Sequence, residues 1–161
     1  MKSNFQKLKK NQVKELLEKI KFLYECSIEN LEKYNYYISN KGKVHVSLHD
    51  VDKLNIDRIN SIGLYFGTYH DEERFRLSIE GSQLINPKRN FVELKDENSL
   101  KSFLAAENIF KNELKSFNHE DNCPFLIVKY KNYFLGSISP KNYLILNYTP
   151  KSRKLDYNKV F

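Results

Sequence analysis

Apolar positions recur at two different periods along this chain. Val13, Leu16, Leu17, Ile20, Leu23, Tyr24 and Leu31 return every three or four residues, which predicts an amphipathic helix over residues 11–31 with Asn11 as its cap. Lys14, Glu15, Glu18, Lys19 and Lys21 fill the opposite face, and Glu15 and Lys19 form a favourably oriented i,i+4 pair. The period then drops to two. Val44, Val46 and Leu48 alternate with Lys43, His45 and Ser47, so residues 36–39 and 43–48 form a hairpin across Asn40-Lys41-Gly42 with one wet face. Asp50 caps a short helix expected over residues 50–56. A second hairpin joins residues 61–69 to 74–80, where Phe75, Leu77 and Ile79 alternate with Arg74, Arg76, Ser78 and Glu80. Gly63 and Gly67 inside its first strand predict a bulge or a close backbone approach. Residues 81–85 make a helical turn.

Asn86-Pro87-Lys88-Arg89-Asn90 is polar, contains proline and separates two patterned blocks, so it is the expected linker. Beyond it come a strand at 91–94 and an amphipathic helix at 96–106 with Leu100, Phe103 and Leu104 inward. Ile109, Phe110 and Leu114 continue the apolar rhythm, and residues 116–122 form a polar loop. Two hairpins follow. Residues 125–130 turn at Lys131-Asn132 into 133–139, and Ser139-Pro140-Lys141-Asn142 is expected as a type I turn into 143–148. Pro150 ends that strand, and Lys151, Arg153 and Lys154 leave as a basic tail. The pattern predicts an α+β protein in two parts. Residues 1–86 form an antiparallel sheet with helices, and residues 87–161 form a second, smaller β unit.

Charge sharpens this picture. The formal net charge is +7, and residues 129–161 carry seven Lys and Arg against Asp156 alone. Such a concentration points to an anionic partner, nucleic acid above all. Five glycines, scattered along the chain, leave no phosphate-cradling loop. Cys26 and Cys123 lie far apart with no ligand-spaced neighbour, so neither a metal nor a cofactor is expected. A disulfide between them is open, but two reduced thiols and the lack of a secretory leader fit a cytoplasmic protein better. No apolar run reaches 18 residues, so no membrane span is expected. His45 and His49 lie on opposite sides of a strand–helix junction, His70 sits in a turn, and no nucleophile sits beside a base, so an enzyme is not expected.

The candidate binding residues follow from interleaved cations and rings. Lys129, Lys131, Lys141, Lys151, Arg153 and Lys154 are placed to contact phosphates, and Tyr133 and Tyr143 stand beside them to stack unpaired bases. Aromatic strand residues also pack sheet cores, and Phe134 is expected to do so. The tail cluster has a second reading as a solvated run of charge.

Certain segments carry a family resemblance. Ile62-Gly63, Phe66-Gly67 and Phe75-Arg76-Leu77 resemble the end of the pre-PUA domain of the Nip-seven ribosome-biogenesis family. Residues 91–110, with Phe103-Leu104 before a small-residue turn, look like the first strand and helix of the attached PUA domain, and residues 124–155 are similar to its end. Asn147, Pro150 and Lys151 also resemble a signature closing the RNA-binding domain of Nop/Sun RNA 5-methylcytosine methyltransferases. The resemblance implies a pre-PUA-like domain followed by a PUA-type mixed β-barrel, of archaeal type. It implies a non-catalytic RNA-binding accessory factor in ribosomal RNA processing or modification, working with ribosomal RNA or a pre-ribosomal particle. The alternative is an adaptor that docks a separate RNA methyltransferase catalytic subunit. One departure stands out: Asn142-Tyr143 occupies the place of an Arg pair often carried by archaeal members, which shifts the expected phosphate contacts to Lys151, Arg153 and Lys154.

Overall fold

The computed structural model describes residues 4–54, 59–117, 119–120 and 122–156. It begins with strand β1 (Phe5–Lys7) and helix α1 (Lys10–Tyr24). The helix is capped at Lys9, two residues before the expected cap, where the Lys9 N–H donates to the Gln12 side chain at 2.9 Å. It also ends early. Glu25 turns left-handed at φ 47°, and the Tyr24 carbonyl accepts from the Lys88 and Arg89 amides instead of continuing the helical ladder. Leu31 is buried from a separate short 3₁₀ turn, Glu29–Leu31.

Strands β2 (Asn35–Ser39), β3 (Lys43–Ser47), β4 (Leu64–Tyr69) and β5 (Phe75–Leu77) complete a five-stranded antiparallel sheet in the order β1-β2-β3-β4-β5. The irregularity expected near Gly67 is present as a register shift between β3 and β4. The expected strand through Glu80 stops at Leu77. Ser78 caps helix α2 (Ile79–Ile85) by accepting from the Gly81 amide at 2.9 Å, which moves Ile79 and Glu80 from strand to helix. Of the helix expected at 50–56, a 3₁₀ turn over Val51–Lys53 is described, capped by Asp50, and Asn55 and Ile56 lie outside the described residues.

The second sheet has six strands: β6 (Phe91–Leu94), β7 (Ile109–Phe110), β8 (Leu114–Phe117), β9 (Leu126–Tyr130), β10 (Tyr133–Lys141) and β11 (Leu144–Asn147). Their order is β7-β11-β10-β9-β6-β8, with β6 and β9 parallel and every other pair antiparallel. The sheet curls into a half-barrel that carries helix α3 (Glu97–Leu104), capped by Asp96. The apolar Ile109 and Leu114 belong to strands β7 and β8, and β8 takes up part of the expected polar loop. The turn at residues 139–142 moves as well. Lys141 pairs with Leu144, so Asn142-Tyr143 makes the turn and Asn142 takes φ 56°. Pro140 stays in the strand, past the last β9 partner of β10, where one flank of the ladder is already open. At the other hairpin it is Lys131, not Asn132, that takes positive φ, at 53°.

The two sheets share one hydrophobic cluster, running from Leu16 and Phe66 through Leu77 and Val92 to Phe103 and Ile138. Each fully buried side chain of this size contributes roughly 1.5–3 kcal/mol. Helix α2 lies between β4 and β10. Polar bonds cross the same junction. Tyr24 donates its hydroxyl proton to the Phe125 carbonyl at 2.8 Å, and Ser137 donates to the Leu77 carbonyl at 2.6 Å. Residues 86–90 are bound into the structure. Asn90 is fully buried, donates to the Leu23 carbonyl at 2.7 Å and accepts from the Glu120 amide at 2.9 Å.

Candidate functional site

The β9-β10-β11 meander fixes where the cations and rings stand. Lys129 is half-buried on β9, with its ammonium 5.4 Å from the Phe91 ring centre. Lys131 lies on the first turn, 5.3 Å from the Tyr130 ring centre, and Tyr133 beside it is 67% exposed. Lys141 and Tyr143 occupy the second turn, where Tyr143 is 85% exposed. The two turns sit at opposite ends of the nine-residue β10. At roughly 3.3 Å per residue they stand up to about 26 Å apart. The structure thus makes two exposed Lys–Tyr pairs, one at each end of a strand, rather than a single patch. Tyr130 and Phe134 pack against the core, as the strand pattern required for Phe134.

Lys151, Arg153 and Lys154 form a third group. They are exposed and follow Pro150 in a short 3₁₀ turn. Arg153 does not project freely, because its guanidinium pairs with the Glu80 carboxylate of α2 at 2.8 Å.

That ion pair stands at the rim of a cleft of about 380 Å³, formed where the first sheet meets the segment after β11. Lys43, Tyr65 and Arg76 line it from the first sheet, and Tyr148 and Arg153 from the segment after β11. The Arg76 guanidinium lies 4.2 Å from the Tyr148 ring centre, a cation–π stack, while the Tyr148 ring meets Phe125 edge-on at 5.8 Å. Lys43 reaches to 5.7 Å from the Tyr65 ring centre. His45 also lines the cleft, and burial holds its proton affinity below that of a free imidazole. Its Nδ1 is 3.1 Å from the Ile62 carbonyl, which can only accept, so Nδ1 carries the proton of a neutral ring. Among the described residues the formal charges lining the cleft are therefore Lys43, Arg76 and Arg153 against Glu80.

Sequence reasoning placed Arg76 in the alternation of its strand and in the Phe75-Arg76-Leu77 motif, and gave it no binding role. Its period-two alternation with Phe75 and Leu77 was the only local signal, and its stack on Tyr148 depends on contact between the sheets. Cys26 and Cys123 are buried free thiols, and burial raises the Cys123 thiol to about 11. Among the described residues no group of three or more His, Cys, Asp or Glu gathers to hold a metal, and no helix is long and apolar enough to cross a membrane.

This architecture is similar to the solved structure of a conserved PUA domain protein from Thermoplasma acidophilum. The TM-score is 0.61 at 16% identity, over 89% of this chain and 81% of that one. At that identity the likeness is one of fold, and the chain has a PUA-like α+β fold. No family model and no curated protein matches the chain.

Proposed function

We propose that this protein binds single-stranded RNA without catalysing a reaction on it, through the meander and tail of its second sheet. The observation that carries the proposal is the pair of exposed rings beside lysines, Tyr133 with Lys131 and Tyr143 with Lys141. A tyrosine 85% exposed on a two-residue turn buries little of itself against the protein. Beside a cation it offers the stacking face and phosphate contact that single-strand binders use. The separation of the two turns fits a strand that crosses the sheet, within the roughly 4–16 nucleotides such surfaces cover. The PUA-like fold and the net charge of +7 support the same reading.

In this proposal residues 87–161 are the RNA-binding unit and residues 1–86 present it. The RNA is ribosomal, met during its processing or modification in the cytoplasm, in keeping with the Nip-seven resemblance. Lys129, Lys151 and Lys154 supply further phosphate contacts.

Fluorescence anisotropy with a labelled ribosomal RNA fragment tests this across a salt series. About five phosphate contacts give a log–log salt slope near −3.5 on the single-strand scale. Lys151→Ala and Lys154→Ala are expected to weaken binding on every sequence and to reduce that slope by about 0.7 or less each. Tyr143→Ala is expected to weaken binding with the slope unchanged, by roughly 1–3 kcal/mol per stacked base. Absence of any salt-dependent binding between about 50 and 150 mM salt ends the proposal.

A further inference from the structure

We infer that the cleft between the two sheets takes one phosphate-bearing nucleotide of the bound strand, and that its phosphate replaces Glu80 as the partner of Arg153. This deepens the RNA-binding reading and rests on it. The cleft's volume of about 380 Å³ lies at the small end of ligand clefts, roughly 300–1,000 Å³, so it suits a single nucleotide rather than a run of them.

Its chemistry is that of an anion site. The Arg76 guanidinium is held against the Tyr148 ring, 4.2 Å from its centre, and its fork of N–H donors is of the kind that binds an oxyanion. Lys43 stands on the same wall, held over Tyr65. Arg153 brings a third cation from the chain segment after β11, and the hydroxyls of Ser61 and Ser152 line the same space for ribose or phosphate oxygens. Among the described residues lining the cleft the one carboxylate, Glu80, is already engaged with Arg153 at 2.8 Å. Both members of that pair are partly exposed, at 53% for Arg153 and 24% for Glu80, so the bridge is of the weak, exchangeable kind. A phosphate carries comparable charge with more acceptor oxygens, and it competes for Arg153 on favourable terms once Arg76 and Lys43 hold it too. Glu80 thus acts as a stand-in anion that keeps the cleft closed to weaker ligands.

This arrangement makes two substitutions act in opposite directions. Arg76→Gln removes a phosphate contact. Glu80→Gln removes the competitor and frees Arg153. The probe is a fluorescein-labelled oligouridylate of about 12 nucleotides, within the usual site size, followed by anisotropy across a salt series on the full chain. Arg76→Gln is expected to weaken binding by about tenfold and to lower the salt slope by about 0.7. Glu80→Gln is expected to tighten binding by about two- to fivefold, the scale of one exposed ion pair. A variant that merely loosened the fold would not tighten binding, so the Glu80 result stands even if Arg76→Gln is poorly folded. Wild-type binding that neither substitution moves, while Lys131→Ala and Lys141→Ala weaken it, overturns the cleft assignment and leaves the RNA reading intact. A wild-type protein that binds no oligouridylate or ribosomal fragment overturns both.

Discussion

At the scale of single residues, Asn90 shows how much one side chain holds. It is fully buried at φ 56°. Its amide donates to the Leu23 carbonyl, its side-chain oxygen accepts from the Glu120 amide, and its own carbonyl accepts from the Ile127 amide at 3.1 Å. One residue so joins α1, the loop before β9, and β9 itself. Asn90→Gly keeps the left-handed backbone and loses only the side-chain bonds. It leaves the part-buried Leu23 carbonyl and the Glu120 amide without their side-chain partner, which costs about 0.5–1.5 kcal/mol each. Asn90→Ala adds the strain of a non-glycine residue at positive φ, about 1 kcal/mol more. Urea unfolding of both variants is expected to rank wild type above the glycine variant and the glycine variant above the alanine one. Equal stability of the three would show that water replaces both bonds.

At the scale of elements, helix α2 is set by its neighbours more than by its own sequence. Gly81 sits in its first turn, where alanine would normally gain up to about 1 kcal/mol. A Cβ there would drive into the Phe66 carbonyl of β4. Gly81→Ala is therefore expected to destabilise the protein by several kcal/mol of overpacking, about 1–3 or more, instead of stabilising it. Thermal unfolding by circular dichroism reads the sign directly. The same dependence explains which elements were legible in advance. Strands β2, β3 and β6 carry their own alternation and turn residues, and they fall within a residue of expectation. Helix α1 was placed by its period but not ended, because its last carbonyl is claimed by Lys88 and Arg89 from a distant segment. The turn after β10 was misplaced for a similar reason. Proline favours a turn locally, yet pairing of Lys141 with Leu144 carries the strand through it. The exposed lysines and tyrosines of the meander could be read from alternation alone. Arg76, Glu80 and Tyr148 could not be grouped, because they lie on separate elements that only the packed sheets bring together.

At the scale of the whole molecule, the two sheets are expected to lose their structure together. They share a continuous core, with α2 wedged between β4 and β10 and with Tyr24 and Ser137 bonded across the junction. Calorimetry is expected to show one cooperative transition, with calorimetric and van't Hoff enthalpies equal. Two resolved transitions would mean that the shared core contributes little coupling. The bond from Tyr24 to Phe125 has a bearing on time as well as stability. It closes a loop of 101 residues, and the Tyr24 carbonyl waits for residues 88 and 89. Contacts between segments so far apart slow folding, towards the millisecond-to-second range of topologically complex domains. On the ribosome, α1 emerges long before the Phe125 carbonyl that its Tyr24 hydroxyl binds. The Tyr24 hydroxyl, buried in the finished fold, waits for the Phe125 carbonyl, so the order of synthesis makes this bond across the junction one of the last contacts to form.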